Sequence, residues 1–134
     1  MWPRARAVAI ASAAAVLAAF GASSALACSC AMAKTPTEHL KHSDVVFKGR
    51  VLRTTGDGSR VATTFQVSEV LKGPAATELT IEHYLSGPTC GLRFTPGDTR
   101  IIFAHRYEGK LSTSSCSMQL FSEAEYRAAL GTAR

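Results

Sequence analysis

The sequence predicts a mainly β domain: a five-stranded OB-type Greek-key barrel with a short N-terminal helix and a C-terminal helix. Five short strand patterns are separated by turn residues, the second of them changes phase by one residue, and helix-start signals lie near both ends of the domain. A change of phase indicates a β-bulge, as where a sheet bends into a barrel. A two-sheet sandwich is the alternative architecture.

The first 27 residues have the three parts of a secretory signal peptide. Arg4 and Arg6 form a positive segment, an apolar alanine-rich stretch follows, and Ala25-Leu26-Ala27 is a cleavage site of the A-x-A type. Cleavage before Cys28 predicts a secreted protein, extracellular or periplasmic, with residues 28–134 as the mature domain. The alternatives are an uncleaved membrane anchor, because the uncharged stretch is just long enough to span, and a lipoprotein, because Cys28 directly follows the site.

The composition after the leader is that of one small globular domain. About 39% of those 107 residues are hydrophobic, and no repeat or linker divides them. They carry 13 Lys and Arg against ten acids, a formal charge of about +3, with no basic run. This mild charge does not indicate nucleic-acid binding.

The N-terminal helix is predicted from Thr35 to about His42. Thr35 can cap it, Pro36 suits the first helical position, and Glu38 completes a capping box. The first strand is predicted over residues 45–52, because apolar residues and a glycine alternate there on one face.

Four more strands follow in order. An Asp-Gly turn at residues 57–58 leads into the second strand, over 60–71, whose apolar phase slips by one residue near Glu69. The remaining strands are predicted over residues 78–84, 100–105 and 110–113, and the continuous apolar run at 101–104 predicts a central position for the fourth. The C-terminal helix is predicted over 122–130, with a second capping box at its start.

Four cysteines in an exported domain predict two disulfides. They are Cys28, Cys30, Cys90 and Cys116, and three pairings are open. A Cys28–Cys30 bond would leave the N-terminus unattached to the rest. Either other pairing ties it to two distant points, with loops of roughly 60 to 90 residues worth ~4 kcal/mol each in the chain-entropy model. The alternative is a Cys-x-Cys metal or redox site, which requires free thiols.

The sequence gives no support for enzymatic activity. Gly-x-Ser-x-Gly, His-Glu-x-x-His and glycine-rich phosphate loops are absent, and the acids are isolated. His39 and His42 are three apart and could contact one ion, but the favoured interpretation is two solvated helix residues. His83 and His105 are predicted to be strand-edge residues. No cofactor and no metal of its own are expected.

Cleavage after Ala27 would give Cys28 a free α-amino group. Such an amine has a pKa near ~7.7–8 and, with its own carbonyl oxygen, can chelate a metal in a five-membered ring. A catalytic zinc with three protein ligands keeps one position for water, which an amine could take. Disulfides at residues 28 and 30 would lower the entropy cost of fixing the terminus. The alternative is that these cysteines only staple the terminus.

Several short motifs occur in a fixed order along the mature chain. They are Cys28-Ser29-Cys30, Ser43-Asp44-Val45-Val46, Val67 to Pro74 ending Leu71-Lys72-Gly73-Pro74, Cys90-Gly91, Gly97 before the fourth strand, Glu108-Gly109-Lys110 and Cys116. In this order, over about residues 28–121, the sequence resembles the N-terminal inhibitory domain of the tissue inhibitors of metalloproteinases (TIMP-like), which is netrin-like, and its bacterial single-domain relatives.

The resemblance implies an OB-type barrel with disulfides Cys28–Cys90 and Cys30–Cys116. It implies a monomeric inhibitor whose partner is a zinc metalloendopeptidase, with Cys28 chelating the protease zinc through its amine and carbonyl. The side chain of Ser29 would enter the main specificity pocket. The other residues of the implied protease-contact ridge are Cys30, Ala31, Met32, Gly87, Pro88 and Thr89. No nucleic acid is implied, and no membrane unless Cys28 is lipidated.

The chain departs from the animal inhibitors at several points. Met32 stands where they usually have proline, no third disulfide is possible, and the loop over residues 54–59 is short. The netrin-like module also occurs in proteins that inhibit no protease, so the fold alone does not imply inhibition. The alternative function is a non-inhibitory extracytoplasmic binding module with purely structural disulfides.

Overall fold

The computed structural model describes residues 28–132. Five strands close into a barrel through four antiparallel pairings and one parallel pairing. The strands are β1 (Val45–Thr55), β2 (Arg60–Lys72), β3 (Glu78–Tyr84), β4 (Thr99–Tyr107) and β5 (Lys110–Ser112), in the order β1-β2-β3-β5-β4 around the barrel. Helix α1 (Pro36–Lys41) precedes β1, and helix α2 (Glu123–Thr132) follows β5. The predicted five-stranded, OB-type barrel with two flanking helices is confirmed. The closed sheet excludes the alternative architecture, a two-sheet sandwich.

The predicted phase slip in β2 is a real irregularity of the β1–β2 ladder. Lys48 pairs with Glu69 but Gly49 pairs with Val67, so Ser68 is an extra residue. A second shift leaves out Leu71. As a result, Val67 and Val70 both pack against the barrel interior although they are three residues apart. The bulges let one long strand bend around the barrel.

Two apolar layers lie on the two sides of the barrel wall. The interior is filled by Phe47, Phe65 and Ile81, all fully buried, together with Ile102 and Ala104 from β4. The outer layer lies between the wall and the two helices, and its members are Leu40, Val46, Ile101, Phe103 and Tyr126. Strand β4 is therefore covered on both faces, which is why its apolar run is continuous.

The capping box predicted before α2 is complete, whereas the one at α1 forms only its Thr35 half, because the Glu38 carboxylate accepts from the Lys34 N–H at 2.8 Å instead of the Thr35 N–H. The Thr35 hydroxyl accepts a hydrogen bond from the Glu38 N–H at 3.1 Å at the start of α1. The boxed pair before α2 is reciprocal, because the Glu125 N–H donates to Ser122 Oγ at 3.2 Å and the Ser122 N–H donates to the Glu125 carboxylate at 2.8 Å. The hydrogen bonds between Ser122 and Glu125 lower the pKa of the Glu125 carboxyl group.

The predicted leader, residues 1–27, lies outside the described residues, and so does its cleavage site. Within residues 28–132, neither helix has the length and apolar character needed to cross a bilayer.

Candidate functional site

Two disulfides join the N-terminal segment to two turns of the barrel. Cys28 is bonded to Cys90 and Cys30 to Cys116, with Cα–Cα distances of 5.1 and 5.2 Å. This is the pairing that the resemblance implies. Disulfides of this kind are typical of proteins that reside in an oxidising compartment.

The four sulfur atoms form one cluster. Cys28 Sγ lies 3.5 Å from Cys116 Sγ and 3.9 Å from Cys30 Sγ, and Cys90 Sγ lies 3.7 Å from Cys116 Sγ. Three of these sulfurs are close enough together to surround an ion. None of the four cysteines is free, however, and a disulfide sulfur is not a thiolate ligand. With both bonds formed, the cluster is not a Cys-x-Cys metal or redox site.

The turn that presents Cys90 is tightly folded. It is a 3₁₀ turn over Gly87–Thr89, after which Cys90 adopts a left-handed conformation at φ 56°. The next N–H, of Gly91, donates to the Ser86 carbonyl at 2.7 Å. A Cβ at Gly91 would lie 2.4 Å from the main chain of Ser86, so only glycine fits. The Cys90-Gly91 motif is therefore a requirement of this turn.

The second turn is tied to the first by main-chain bonding. The Ser115 N–H donates to the Cys90 carbonyl at 2.8 Å, and the Cys116 N–H donates to Ser114 Oγ at 3.2 Å. Ser115 Oγ also lies 3.7 Å from Cys28 Sγ. Sequence reasoning did not single out these two serines. Their signal is the Ser-Ser-Cys-Ser string at 114–117, in which a serine precedes a cysteine and can cap a 3₁₀ turn.

The ridge formed by the N-terminal segment and the first turn is exposed. Ser29, Ala31 and Met32 are exposed, as are Gly87, Pro88 and Thr89, whereas Cys28 and Cys30 are half-buried beneath them. The Ser29 carbonyl lies 3.9 Å from Cys116 Sγ, so its main chain sits on the sulfur cluster while its side chain is free to contact a partner.

Two exposed methionines flank the Cys30–Cys116 disulfide. Met32 and Met118 each follow one of its cysteines by two residues, and they are 54% and 44% exposed. Met118 lines a cavity of about 190 Å³ together with Leu92, Phe94 and residues 99–103 of β4.

The histidines are placed differently from the prediction. His39 is buried rather than solvated, because its ring stacks on Phe103 at 4.0 Å and its Nδ1 lies 2.7 Å from the Tyr126 hydroxyl. Burial, and then the neighbouring His105 and His42, lower the pKa of His39. His42 remains exposed, so the two do not form an ion-binding pair.

The strand-edge prediction is also wrong for His83. That side chain is 2% exposed, inside the barrel, where its Nε2 accepts from Thr63 Oγ1 at 2.6 Å and its Nδ1 donates to the Tyr84 carbonyl at 3.1 Å. His105 is half-buried, and its Nε2 bonds Ser117 Oγ at 3.0 Å. Both residues are packing and hydrogen-bonding groups. His83 alternates in phase with the buried Ile81 of the same strand, and this position on the inner face would have predicted its burial.

No protein-family model matches the chain, and no curated protein matches it significantly.

Proposed function

We propose that the mature protein is a secreted, netrin-like inhibitor of zinc metalloendopeptidases, whose first residue, Cys28, chelates the protease zinc. The observation that carries the proposal is the double anchoring of residues 28–30. Both cysteines of the Cys-x-Cys segment are bonded to barrel turns, and the residue between them, Ser29, is exposed.

The chemistry of Cys28 suits the open position of a catalytic zinc. Its sulfur is committed to Cys90, so the amine nitrogen and the carbonyl oxygen are the donors left to it. An α-amine loses its proton near neutral pH, and a metal favours the unprotonated form further. The pair can replace the water that a catalytic zinc binds, and without that water the protease has no nucleophile.

Anchoring makes this chelation favourable. A free peptide terminus would lose backbone freedom on binding, at roughly 1–2 kcal/mol for each residue fixed. Here residues 28 and 30 are already held by Cys90 and Cys116, and those two turns are bonded to each other through Ser115. Most of that entropy is lost when the protein folds, so less is lost when it binds.

The surface around Cys28 suits a long, narrow protease cleft. Ser29 would offer a short side chain beside the zinc, and Ala31 and Met32 continue the exposed segment. The exposed Gly87–Thr89 turn is attached to the same segment through the Cys28–Cys90 disulfide. None of these residues carries a charge. An uncharged ridge with an apolar methionine at one end can be desolvated at low cost when a cleft encloses it.

The test compares the mature protein, beginning at Cys28, with a form that carries one alanine before Cys28. Inhibition is measured against a panel of zinc endopeptidases, and thermal unfolding checks that both forms fold alike. A form with one alanine added at the C-terminus is the matched control. We expect the N-terminal extension to abolish inhibition, because it converts the Cys28 amine into a peptide amide and adds bulk at the zinc, and we expect the control to inhibit normally.

Two results would contradict the proposal in different ways. Equal inhibition by the mature and N-terminally extended forms would exclude chelation by the Cys28 amine. Inhibition by neither form would favour the alternative, a non-inhibitory extracytoplasmic binding module in which the disulfides are structural. A lipid found on Cys28 of the natural protein would block the amine in the same way as the alanine.

A further inference from the structure

A second surface feature shares no residue with the ridge. It is a groove of about 580 Å³ that lies between β3 and β5 and is also lined by Pro74, Ala75 and Ala76. Of the cavities described here it has the largest volume, and it falls within the range of sites that bind peptides or small molecules.

The groove exists because two neighbouring strands of the barrel, β3 and β5, are paired over only a small part of their length. Strands β3 and β5 run parallel and pair at only one position, Glu82 with Ser112. Two residues earlier, Thr80 and Lys110 stand in the same register without pairing, and both line the groove. The two strands therefore diverge from Glu82 towards the start of β3.

The edge of β3 presents free main-chain groups to this groove. The Glu82 carbonyl accepts from Thr113 N–H at 3.0 Å, and the Tyr84 carbonyl accepts from Leu92 N–H at 2.9 Å, so the even-numbered residues of β3 direct their main-chain groups away from β2. By the alternation of a strand, Glu78 and Thr80 do the same. Within residues 28–132 no strand pairs with them on that side.

Along each strand that lines the groove, side chains alternate between the barrel interior and the solvent. Leu79 and Leu111 line the groove, and both belong to the barrel interior or pack against it. On the solvent side stand Thr80 and Lys110, both exposed, and Arg106 lies beside them. A strand placed between β3 and β5 would thus meet apolar groups on its inner face and two cations on its outer face.

We propose that this groove binds an extended peptide segment of a partner protein by strand addition to β3. The segment bonds the main-chain groups of Glu78 and Thr80, places apolar side chains inward at every second position, and places an acidic residue outward, opposite Lys110 and Arg106. The acid is the favoured outward residue because two cations, Lys110 and Arg106, line the groove with only one carboxylate, that of Glu82. Glu82 is shared: it binds Arg60 at 2.9 Å and Lys110 more weakly, at 3.5 Å.

The experiment measures binding of a fluorescent peptide, acetyl-Val-Glu-Val-Glu-Val amide, to the mature protein by anisotropy. Two probes accompany it: the same peptide with lysines in place of the glutamates, and a version methylated on every main-chain nitrogen. We expect the glutamate peptide to bind at least tenfold more tightly than either. Equal binding of the methylated peptide would show that the groove is only an apolar surface, and would overturn the proposal.

Two substitutions locate the binding. Thr80→Pro removes the N–H that faces the groove but no main-chain bond to β2, and proline is tolerated at a strand edge. It also removes the Thr80 hydroxyl, which lies 3.1 Å from Thr64 Oγ1 of β2, and Thr80→Val loses that same hydroxyl. We expect it to weaken binding at least tenfold, whereas Thr80→Val, the matched control, retains binding. Lys110→Glu, on a side chain that is 70% exposed, should reverse the preference in favour of the lysine peptide.

Unchanged binding in Thr80→Pro, or no binding of the glutamate peptide at 1 mM, would refute strand addition. Because the groove and the ridge share no residue, neither result bears on protease inhibition.

Discussion

Tyr126→Phe should destabilise the fold far more than the loss of one hydroxyl at a surface would. The side chain of Tyr126 is fully buried between α2 and the barrel wall. Its hydroxyl oxygen accepts from the main-chain N–H groups of Leu120 and Phe121, at 3.1 and 3.2 Å, and its proton is directed at Nδ1 of His39, 2.7 Å away. One atom therefore connects α1, α2 and the segment before α2.

The magnitude follows from the groups left without partners. Phenylalanine keeps the ring contacts with Phe103 and Phe121 at 5.0 and 5.9 Å, so little apolar packing is lost. Two N–H groups and one ring nitrogen lose their hydrogen bonds, and a buried polar group left unsatisfied costs roughly 1–3 kcal/mol. Because the two N–H groups are partly buried and can rebond to water, we expect a loss of about 2–4 kcal/mol.

The assay is urea unfolding followed by circular dichroism, with both disulfides intact. Tyr107→Phe is the matched control, because Tyr107 is 65% exposed and should change the free energy of unfolding by less than ~0.5 kcal/mol. A loss below ~0.5 kcal/mol for Tyr126→Phe would refute the reasoning. It would mean that the hydroxyl does not connect the helices to the barrel.

Three further changes test other parts of the structure. Cys90→Ser should lower the free energy of unfolding by ~2–4 kcal/mol, and peptide mapping should find Cys28 released. Gly91→Ala should cost roughly 1–3 kcal/mol in thermal unfolding, because its Cβ would overlap the main chain of Ser86; an unchanged melting temperature would contradict this. The pKa of His39 is lowered in the folded state, so the unfolded state takes up its proton first. Stability should be full above the unfolded pKa of ~6.5 and fall as the pH drops below it, and His39→Gln should flatten that dependence.

Local signals were sufficient where a structure depends on residues a few positions apart. Ser122 and Glu125, three residues apart, form the predicted capping box, and Thr35 caps α1 by accepting from the Glu38 N–H over the same spacing. Strand alternation likewise predicted β3 with its bounds unchanged. The strands β1 and β4 extend further than the prediction, by three residues at the end of β1, because pairing with neighbours continues after the apolar pattern has stopped.

The amino-acid pattern by itself determined that five strands and two helices form, and that one strand must bend. Only the closed barrel decided which side chains and strands distant in the sequence come into contact. The local sequence predicts a solvated His39, because its partner Tyr126 is 87 positions away. His39 is buried only because both helices pack on the same wall of the barrel. The groove beside β3 likewise has no local signal. It arises because a parallel pairing of β3 with β5 stops after one residue pair, and the ends of two strands distant in the chain set that geometry.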